Sequence, residues 1–170
     1  MKSPLLSLAF LALITALLAF TFRDQFHGSY TGRKPIPAHY QQVIRCSPDW
    51  EALSQWLEET DIPPIPGAGS YTWSISSRHD SARFYFNQGI NMYYSFHIIE
   101  AMASFKKASR FDPESAILYW AQALAYGPNI NDYGYAATPA ALAAVSKAQQ
   151  FSTGATDLEK GLINAMAVRY

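Results

Sequence analysis

The sequence predicts an all-α protein that is built from helix–turn–helix units. Apolar and small residues recur at three- and four-residue intervals from Ala82 onward, which is the spacing of one helix face. Helix-starting residues such as Thr138-Pro139 and helix-stopping residues such as Gly127-Pro128 stand between these stretches. With 49% hydrophobic residues among 170, the chain can bury a core of ordinary size. We expect a hydrophobic helix and a linker to precede the helical units.

Residues 1–22 are predicted to form a signal or anchor helix. Residues 5–22 are apolar apart from three hydroxyl residues, and a stretch of this length can just cross the hydrocarbon layer. Lys2 precedes the stretch, which favours an internal amino terminus and export of the rest. The best cleavage site, Ala19-Phe20-Thr21, places a poor residue at the cut. We expect an inner-membrane anchor facing the periplasm; the alternative is a cleaved signal and a secreted or periplasmic protein.

Residues 23–69 are predicted to be a linker that contains one short helix, residues 47–60. Glycines and prolines among polar residues are typical of a tether. Ser47 can cap the helix and Pro48 can stand in its first turn. The single cysteine, Cys46, is interpreted as a half-buried structural residue. Four apolar residues fall on one face of the short helix: Trp50, Leu53, Trp56 and Leu57.

Composition and motifs exclude several classes of protein. The charges balance at 13 basic and 13 acidic residues without a basic run, so we expect no nucleic-acid partner. One cysteine excludes a disulfide framework and a c-type haem site. The chain has no phosphate-binding loop and no nucleophile or metalloprotease motif, so we expect no catalysis and no cofactor. No metal site is expected from the spacing of the four histidines, His27, His39, His79 and His97.

The first helix–turn–helix unit is predicted to span residues 82–115. Small residues let its two helices approach closely, and an aromatic ring fills the gap between them. Asp112 is predicted to cap the next helix, with Pro113 in its first position. The residues that define the unit are Tyr85, Gly89, Ala101, Phe105, Ala108 and Pro113.

A second unit, residues 116–153, and a partial third unit, residues 156–170, are predicted to follow. The second unit carries an insertion between Gly127 and Thr138, and its second helix starts at Thr138-Pro139. The third opens with the capping box Thr156-Asp-Leu-Glu159. An array of this kind needs about three repeats and a polar end. We therefore expect either further repeats in a longer protein or self-association to cover one apolar face, Leu158, Leu162, Ile163 and Met166.

These intervals are similar to those of the tetratricopeptide repeat, a helix–turn–helix unit of 34 residues. Gln88 and Met92 depart from the leucine and tyrosine usual at their positions. Five segments also resemble a group of exported bacterial tetratricopeptide proteins over residues 64–170. The segments are Tyr85-Phe-Asn-Gln-Gly89, Phe96 with Glu100-Ala101 and Ser104-Phe105, Phe111-Asp-Pro113, Tyr119-Trp120 and Gly127-Pro-Asn-Ile-Asn131. The resemblance implies a helical solenoid with further repeats.

The resemblance implies a scaffold for protein–protein interaction, whose groove is lined by the first helix of each unit. The expected partner is an apolar or aromatic peptide segment, because aromatic side chains dominate the predicted groove. An alternative is that these aromatic side chains pack on neighbouring helices or on Trp50 and Trp56. The predicted groove residues are Arg83, Phe86, Ile90, Tyr93, Tyr94, Ile117, Trp120 and Leu124.

Two further functions stay open from the residues alone. A small-molecule pocket or enzyme site could form in the Tyr119–Asp132 region, from Tyr119, Trp120, Tyr126, Asn129, Asn131 and Asp132. That region offers no nucleophile paired with a base. The chain could also be an anchored spacer for another domain.

Overall fold

The computed structural model describes residues 48–128 and 135–170, all within the unit Arg45–Tyr170. This part of the chain contains six α-helices and no strand, which confirms the predicted all-α class for the described residues. The helices are α1 (Ser54–Glu59), α2 (Asp80–Tyr94), α3 (Ile98–Phe111), α4 (Ala116–Tyr126), α5 (Pro139–Gln150) and α6 (Asp157–Arg169). None of these described helices is both long and apolar enough to cross a membrane. The predicted anchor, Cys46 and most of the linker lie outside the described residues.

Helices α2 and α3 form an antiparallel pair around a glycine. A Cβ atom on Gly89 would overlap the ring of Phe105, so only glycine permits this approach. Near the far end of the pair, the Tyr85 and Phe111 rings stack with centroids 5.9 Å apart. Ala101 and Ala108 of α3 are completely buried. The predicted small residues and the predicted filler ring therefore lie at one close helix–helix contact.

The turn between α2 and α3 holds an aromatic residue in an unusual backbone conformation. Phe96 has φ of 64°, in the left-handed region that usually requires glycine or asparagine. Its backbone N–H donates to the Tyr93 carbonyl (3.0 Å), and the His97 N–H donates to the Met92 carbonyl (2.9 Å). These bonds end α2 and satisfy its last carbonyl groups. The Phe96 side chain is left 84% exposed.

Helix α4 lies at the centre of the described helices. It contacts α3, α5 and α6, and every residue of it except Leu124 is buried. The Tyr119 ring packs against Phe151, just beyond the end of α5, so α4 and α5 run antiparallel. At its other end, α4 receives a hydrogen bond from the Tyr170 hydroxyl to the Ala123 carbonyl (2.7 Å). The near-continuous apolar composition of α4 matches this central position.

The start of α4 differs from the prediction. Ser115 is the N-cap residue and the helix begins at Ala116, so Asp112 does not cap it and Pro113 precedes it. Asp112 ends α3 instead, and its carboxylate accepts a hydrogen bond from the Ser77 hydroxyl (2.6 Å). Pro113 lies in the turn, where its carbonyl accepts a hydrogen bond from the Tyr119 hydroxyl (2.8 Å). The Asp112 carboxylate therefore binds Ser77, which is distant in sequence, instead of capping α4.

The predicted starts of α5 and α6 are confirmed. The Thr138 hydroxyl accepts a hydrogen bond from the Ala141 N–H (3.2 Å), and Pro139 is the first residue of α5. At α6, the Thr156 hydroxyl accepts from the Glu159 N–H and the Glu159 carboxylate accepts from the Thr156 N–H. Both signals are local in sequence, and each satisfies N–H groups that the helix itself leaves unpaired.

The short helix predicted for residues 47–60 is shorter in the structure. Helix α1 begins at Ser54, and the preceding residues form turns in which the Asp49 carboxylate accepts from the Ala52 N–H (3.1 Å). The predicted cap, Ser47, lies outside the described residues. Trp50 and Leu57 are buried, whereas Trp56 is exposed, so the predicted apolar face is only partly covered. The Trp50 ring packs edge-on against Tyr126 of α4.

Helix α6 buries one face and exposes another. Ile163 and Met166 are buried, so the predicted uncovered apolar face is wrong for these two residues. The opposite face carries Leu158 and Val168, which are 65% and 89% exposed, together with exposed Gly161 and Ala165. We call these four residues the α6 stripe.

Candidate functional site

An extended segment lies against the helices through side-chain contacts. We call residues 62–77 the lead-in segment; it contains neither helix nor strand. Three prolines within residues 63–66 remove backbone donors and disfavour helix, which leaves the chain extended. Near the start of the lead-in segment a hydrogen bond connects it to α2, and near the end of the segment another connects it to α6. The segment thus crosses the surface that those helices form.

Gln88 of α2 binds the first part of the lead-in segment. Its side-chain oxygen accepts from the Ile65 N–H (2.9 Å), and its side-chain nitrogen donates to the Pro63 carbonyl (3.2 Å). The same nitrogen donates to the Ser104 hydroxyl of α3 (3.1 Å). Gln88 is buried, so these bonds satisfy a polar group that would otherwise be costly to bury. These hydrogen bonds explain why position 88 carries glutamine and not the leucine that is usual in the repeat.

Asn91 of α2 binds both backbone groups of one residue. Its side-chain oxygen accepts from the Tyr71 N–H (3.2 Å), and its side-chain nitrogen donates to the Tyr71 carbonyl (2.7 Å). Gly69 has φ of 126°, and a Cβ there would overlap the Asn91 side chain. Glycine at 69 is therefore required for the amide to reach the backbone. The Tyr71 side chain is exposed, so Asn91 recognises the backbone of this residue.

Asn87, one turn before Asn91, binds the next point of the segment. Its side-chain oxygen accepts from the Trp73 N–H (2.6 Å). The Trp73 ring packs edge-on against Phe86 of α2 and Trp120 of α4, with centroids 5.5 Å and 5.6 Å away. Edge-to-face aromatic contacts at such distances are favourable beyond the area that they bury. We call this pair, Phe86 and Trp120, the aromatic pair.

Glu159 binds the last part of the lead-in segment. One carboxylate oxygen accepts from the Ser76 N–H (2.8 Å), and the other accepts from the Thr156 N–H (2.8 Å). Glu159 is almost completely buried. Arg83 of α2 donates to the Ser77 carbonyl (2.9 Å) and pairs with Asp80. The segment is thereby held at both ends and in the middle by polar side chains.

The structure places the eight predicted groove residues in two groups. Phe86, Ile90, Ile117 and Trp120 are buried, so they do not line an open groove. The aromatic pair is buried because the Trp73 ring covers it, and Phe86 also packs on Phe105. The other four, Arg83, Tyr93, Tyr94 and Leu124, are partly or largely exposed. Partner binding by these residues stays a prediction.

A shallow cleft follows the outer edge of the lead-in segment. Its volume is about 280 Å³, and Tyr71, Phe84, Asn87 and Asn91 line it. Tyr94, which is 69% exposed, extends the aromatic surface beyond Tyr71. Burial raises the pKa of the neighbouring Tyr93 hydroxyl. This edge therefore combines exposed aromatic rings with side-chain amides, which are groups that can contact a peptide.

The Tyr119–Asp132 region offers little space for a small molecule in its described part. Tyr119, Trp120 and Tyr126 are buried, and burial raises the pKa of both tyrosine hydroxyls. Asn129, Asn131 and Asp132 lie outside the described residues. Within residues 48–128 and 135–170, no group of three metal-ligating side chains lies close enough to hold an ion.

Sequence reasoning did not predict that Asn87, Gln88, Asn91 and Glu159 hold the lead-in segment. It also did not predict that Trp73 is the ring by which the segment packs on the helices. One signal was available, because Gln88 is a polar residue at a position that packs inside. A second was the four-residue spacing of Asn87 and Asn91, which places both amides on one side of α2. No local pattern identifies Trp73 as their partner.

The fold and site define an array of antiparallel helix pairs that binds an extended segment of its own chain. In comparisons with known proteins, no family model, no curated protein and no solved structure matches the chain.

Proposed function

We propose that the chain is a tetratricopeptide-type solenoid segment that binds another protein and has no catalytic activity. The resemblance to exported bacterial tetratricopeptide proteins suggests this class. The close contact of Gly89 with Phe105 and the buried Ala101 and Ala108 support it. Packed helix pairs of this kind build extended binding surfaces in repeat proteins.

One observation carries the proposal: the helices already bind an extended peptide segment. Asn87, Asn91 and Glu159 hold backbone groups of the lead-in segment, and the aromatic pair holds one ring. Backbone hydrogen bonds provide affinity, and pockets for individual side chains provide specificity. The surface of α2, α4 and α6 thus has the chemistry that peptide recognition needs.

The partner is an apolar or aromatic segment of another protein. Tyr93 and Tyr94 at the end of α2, with Tyr71 beside them, leave rings accessible at one edge of the surface. Tyrosine is enriched among residues that contribute most to binding, because it buries a large area with few rotatable bonds. Among the predicted groove residues Arg83 is the cation, and it already pairs with Asp80. Apolar contact is therefore the main source of affinity.

The protein acts outside the cytoplasm, held at the inner membrane through residues 5–22. The apolar stretch after Lys2 and the poor cleavage site support this location. Amino-terminal sequencing of the membrane fraction tests it, and intact Met1 is the expected result. A mature chain that starts near Arg23 and washes off membranes would overturn the anchor but leave export in place.

Photo-crosslinking tests the binding function directly. A photoreactive residue at Tyr94 of the full chain, expressed in its native cell, should give a discrete adduct with another protein. The control is the same residue at Leu142, which is exposed on α5. Equal adducts at both positions, or none at either, would overturn the proposal.

A further inference from the structure

We infer that the lead-in segment occupies the partner site of its own chain, and that a partner enters by displacing residues 70–77. The partner is an extended segment that carries one aromatic side chain. This inference rests on the proposed function, and it adds the pattern that the site recognises and the competition that controls access.

The backbone pattern follows from the hydrogen bonds. At residue 71 the site binds both N–H and C=O, at residue 73 it binds N–H, and at residue 76 it binds N–H again. A partner must therefore present free N–H groups at three positions spaced two and three residues apart. Proline lacks this donor, so it is excluded at each of the three positions. The exposed side chain of Tyr71 leaves the first position open to most residue types.

The aromatic requirement follows from the aromatic pair. The Trp73 ring meets Phe86 and Trp120 edge-on, and both of those side chains are otherwise buried. Removing the ring would expose apolar surface of α2 and α4 to water, which is unfavourable. A partner must therefore replace the ring two residues after its first bound position. This requirement separates aromatic-bearing segments from other extended ones.

The lead-in segment can leave without breaking the helices. Its described hydrogen bonds to α2 and α6 use side chains of the helices, and the backbone bonds of those helices stay intact. A competing segment can satisfy the same side chains, so exchange leaves no buried polar group unpaired. Lead-in residues 70–77 thus compete with the partner, whose apparent Kd equals its intrinsic Kd divided by the fraction of chains in which the site is open.

The test uses a labelled synthetic peptide of residues 70–78 and the full chain. A Trp73→Ala chain weakens the resident segment and should bind the peptide at least about tenfold more tightly than the unaltered chain, because the open fraction rises. The matched control, Leu142→Ala, changes an exposed residue of α5 and should bind as the unaltered chain does. Equal affinity of the Trp73→Ala and unaltered chains would overturn the inference.

Two altered peptides test the pattern itself. A peptide with Tyr71→Pro lacks the first N–H, and a peptide with Trp73→Ala lacks the ring. Each should bind the Trp73→Ala chain at least about tenfold more weakly, and Asn91→Ala in that chain should weaken the original peptide similarly. Undiminished binding of the Tyr71→Pro peptide would show that the backbone pattern is wrong.

Circular dichroism keeps the test valid if the Trp73→Ala chain loses its fold. The original peptide should then restore the helical signal, and failure to restore it would overturn the inference. The crosslinking experiment at Tyr94 stays separate. Peptide binding without a cellular adduct would support the site and overturn the proposed function, and an adduct without peptide binding would do the reverse.

Discussion

Helices α2 and α6 carry apolar residues at the same intervals, but the set on α2 is buried and the set on α6 is exposed. On α2 the residues are Ala82, Tyr85, Gly89 and Met92, and on α6 they are the α6 stripe, Leu158, Gly161, Ala165 and Val168. The α2 set is buried against α3, and the α6 stripe is exposed. A Cβ on Gly89 would overlap Phe105, whereas a Cβ on Gly161 would meet no atom within 4 Å. The same spacing is thus a helix–helix contact in one place and an open surface in the other.

The difference teaches that helical spacing alone does not report burial. Each stripe shows the three- and four-residue intervals of one helix face. Only the presence of a packed neighbour decides whether a change there costs stability. Substitutions in the α2 contact should therefore cost more stability than substitutions on the α6 stripe, most of all at the residue that fills the α2 contact.

The largest effect is expected for Phe105→Ala. The ring is completely buried and packs on both Gly89 and Phe86. Its loss removes apolar contacts and leaves a cavity, which typically lowers the free energy of unfolding by about 3–5 kcal/mol. Urea unfolding followed by circular dichroism measures it. The control is Leu158→Ala on the α6 stripe, which should change stability by less than about 0.5 kcal/mol; similar losses for both variants would contradict the contrast.

Gly89→Ala should destabilise the chain by about 1–3 kcal/mol, because overpacking forces the Phe105 ring or the α3 backbone to move. The thermal midpoint measures this change. Combining Gly89→Ala with Phe105→Leu should cost less than the sum of the single changes, since the smaller side chain relieves the overlap. Additive costs would show that the two residues do not share one contact.

Stability should decline as the pH rises above about 10, where tyrosines of the unfolded chain lose their protons. Burial raises the pKa of Tyr170, which follows α6, so the folded chain keeps a proton that the unfolded chain releases. The stabilisation is present below pH 10 and is lost as pH climbs toward the folded pKa. Burial shifts Tyr93, Tyr119 and Tyr126 in the same direction.

Urea unfolding at pH 8 and at pH 10.5 or so measures this decline. Tyr170→Phe removes the hydrogen bond to the Ala123 carbonyl and should cost about 1 kcal/mol at pH 8. The variant should then lose less stability between the two pH values than the unaltered chain does. An equal or steeper loss would contradict the assignment.

The smallest effect is expected for Gly161→Ala, and its sign is opposite. No atom lies near the added methyl group, and alanine is the better helix former by roughly 0.5–1 kcal/mol. The thermal midpoint should therefore rise. A fall would mean that this part of α6 is covered in solution.

Local signals predicted the local structure well. Thr138-Pro139 and the Thr156–Glu159 capping box start helices as expected, because each needs residues only three apart. Gly89 and Phe105 were also predicted, since small and large residues at fixed intervals indicate close packing. Asp112 was not predicted correctly, because Ser77 lies 35 residues away and no local rule includes it.

The candidate site also depends on contacts between residues far apart in sequence, from 14 residues for Trp73 and Asn87 to 83 for Ser76 and Glu159. Trp73 lies in a proline-rich segment without periodicity, so no helix or strand pattern relates it to Trp120. Because Trp73 covers Phe86, this predicted groove residue is part of the core. The burial of an aromatic side chain depends on which distant ring packs against it. A single sequence does not show which of several distant rings that is.

The two bonds of the Glu159 carboxylate also set an order of events during synthesis. Its contact with Ser76 joins residues 83 apart, whereas its contact with Thr156 joins residues three apart. A ribosome releases the lead-in segment long before α6, so its terminal anchor does not yet exist while α2 and α3 form. Closing so long a loop carries an entropic cost that local helix formation avoids. Anchoring of Ser76 on α6 is therefore a late step of folding, whereas the contacts of the same segment with α2 can form earlier.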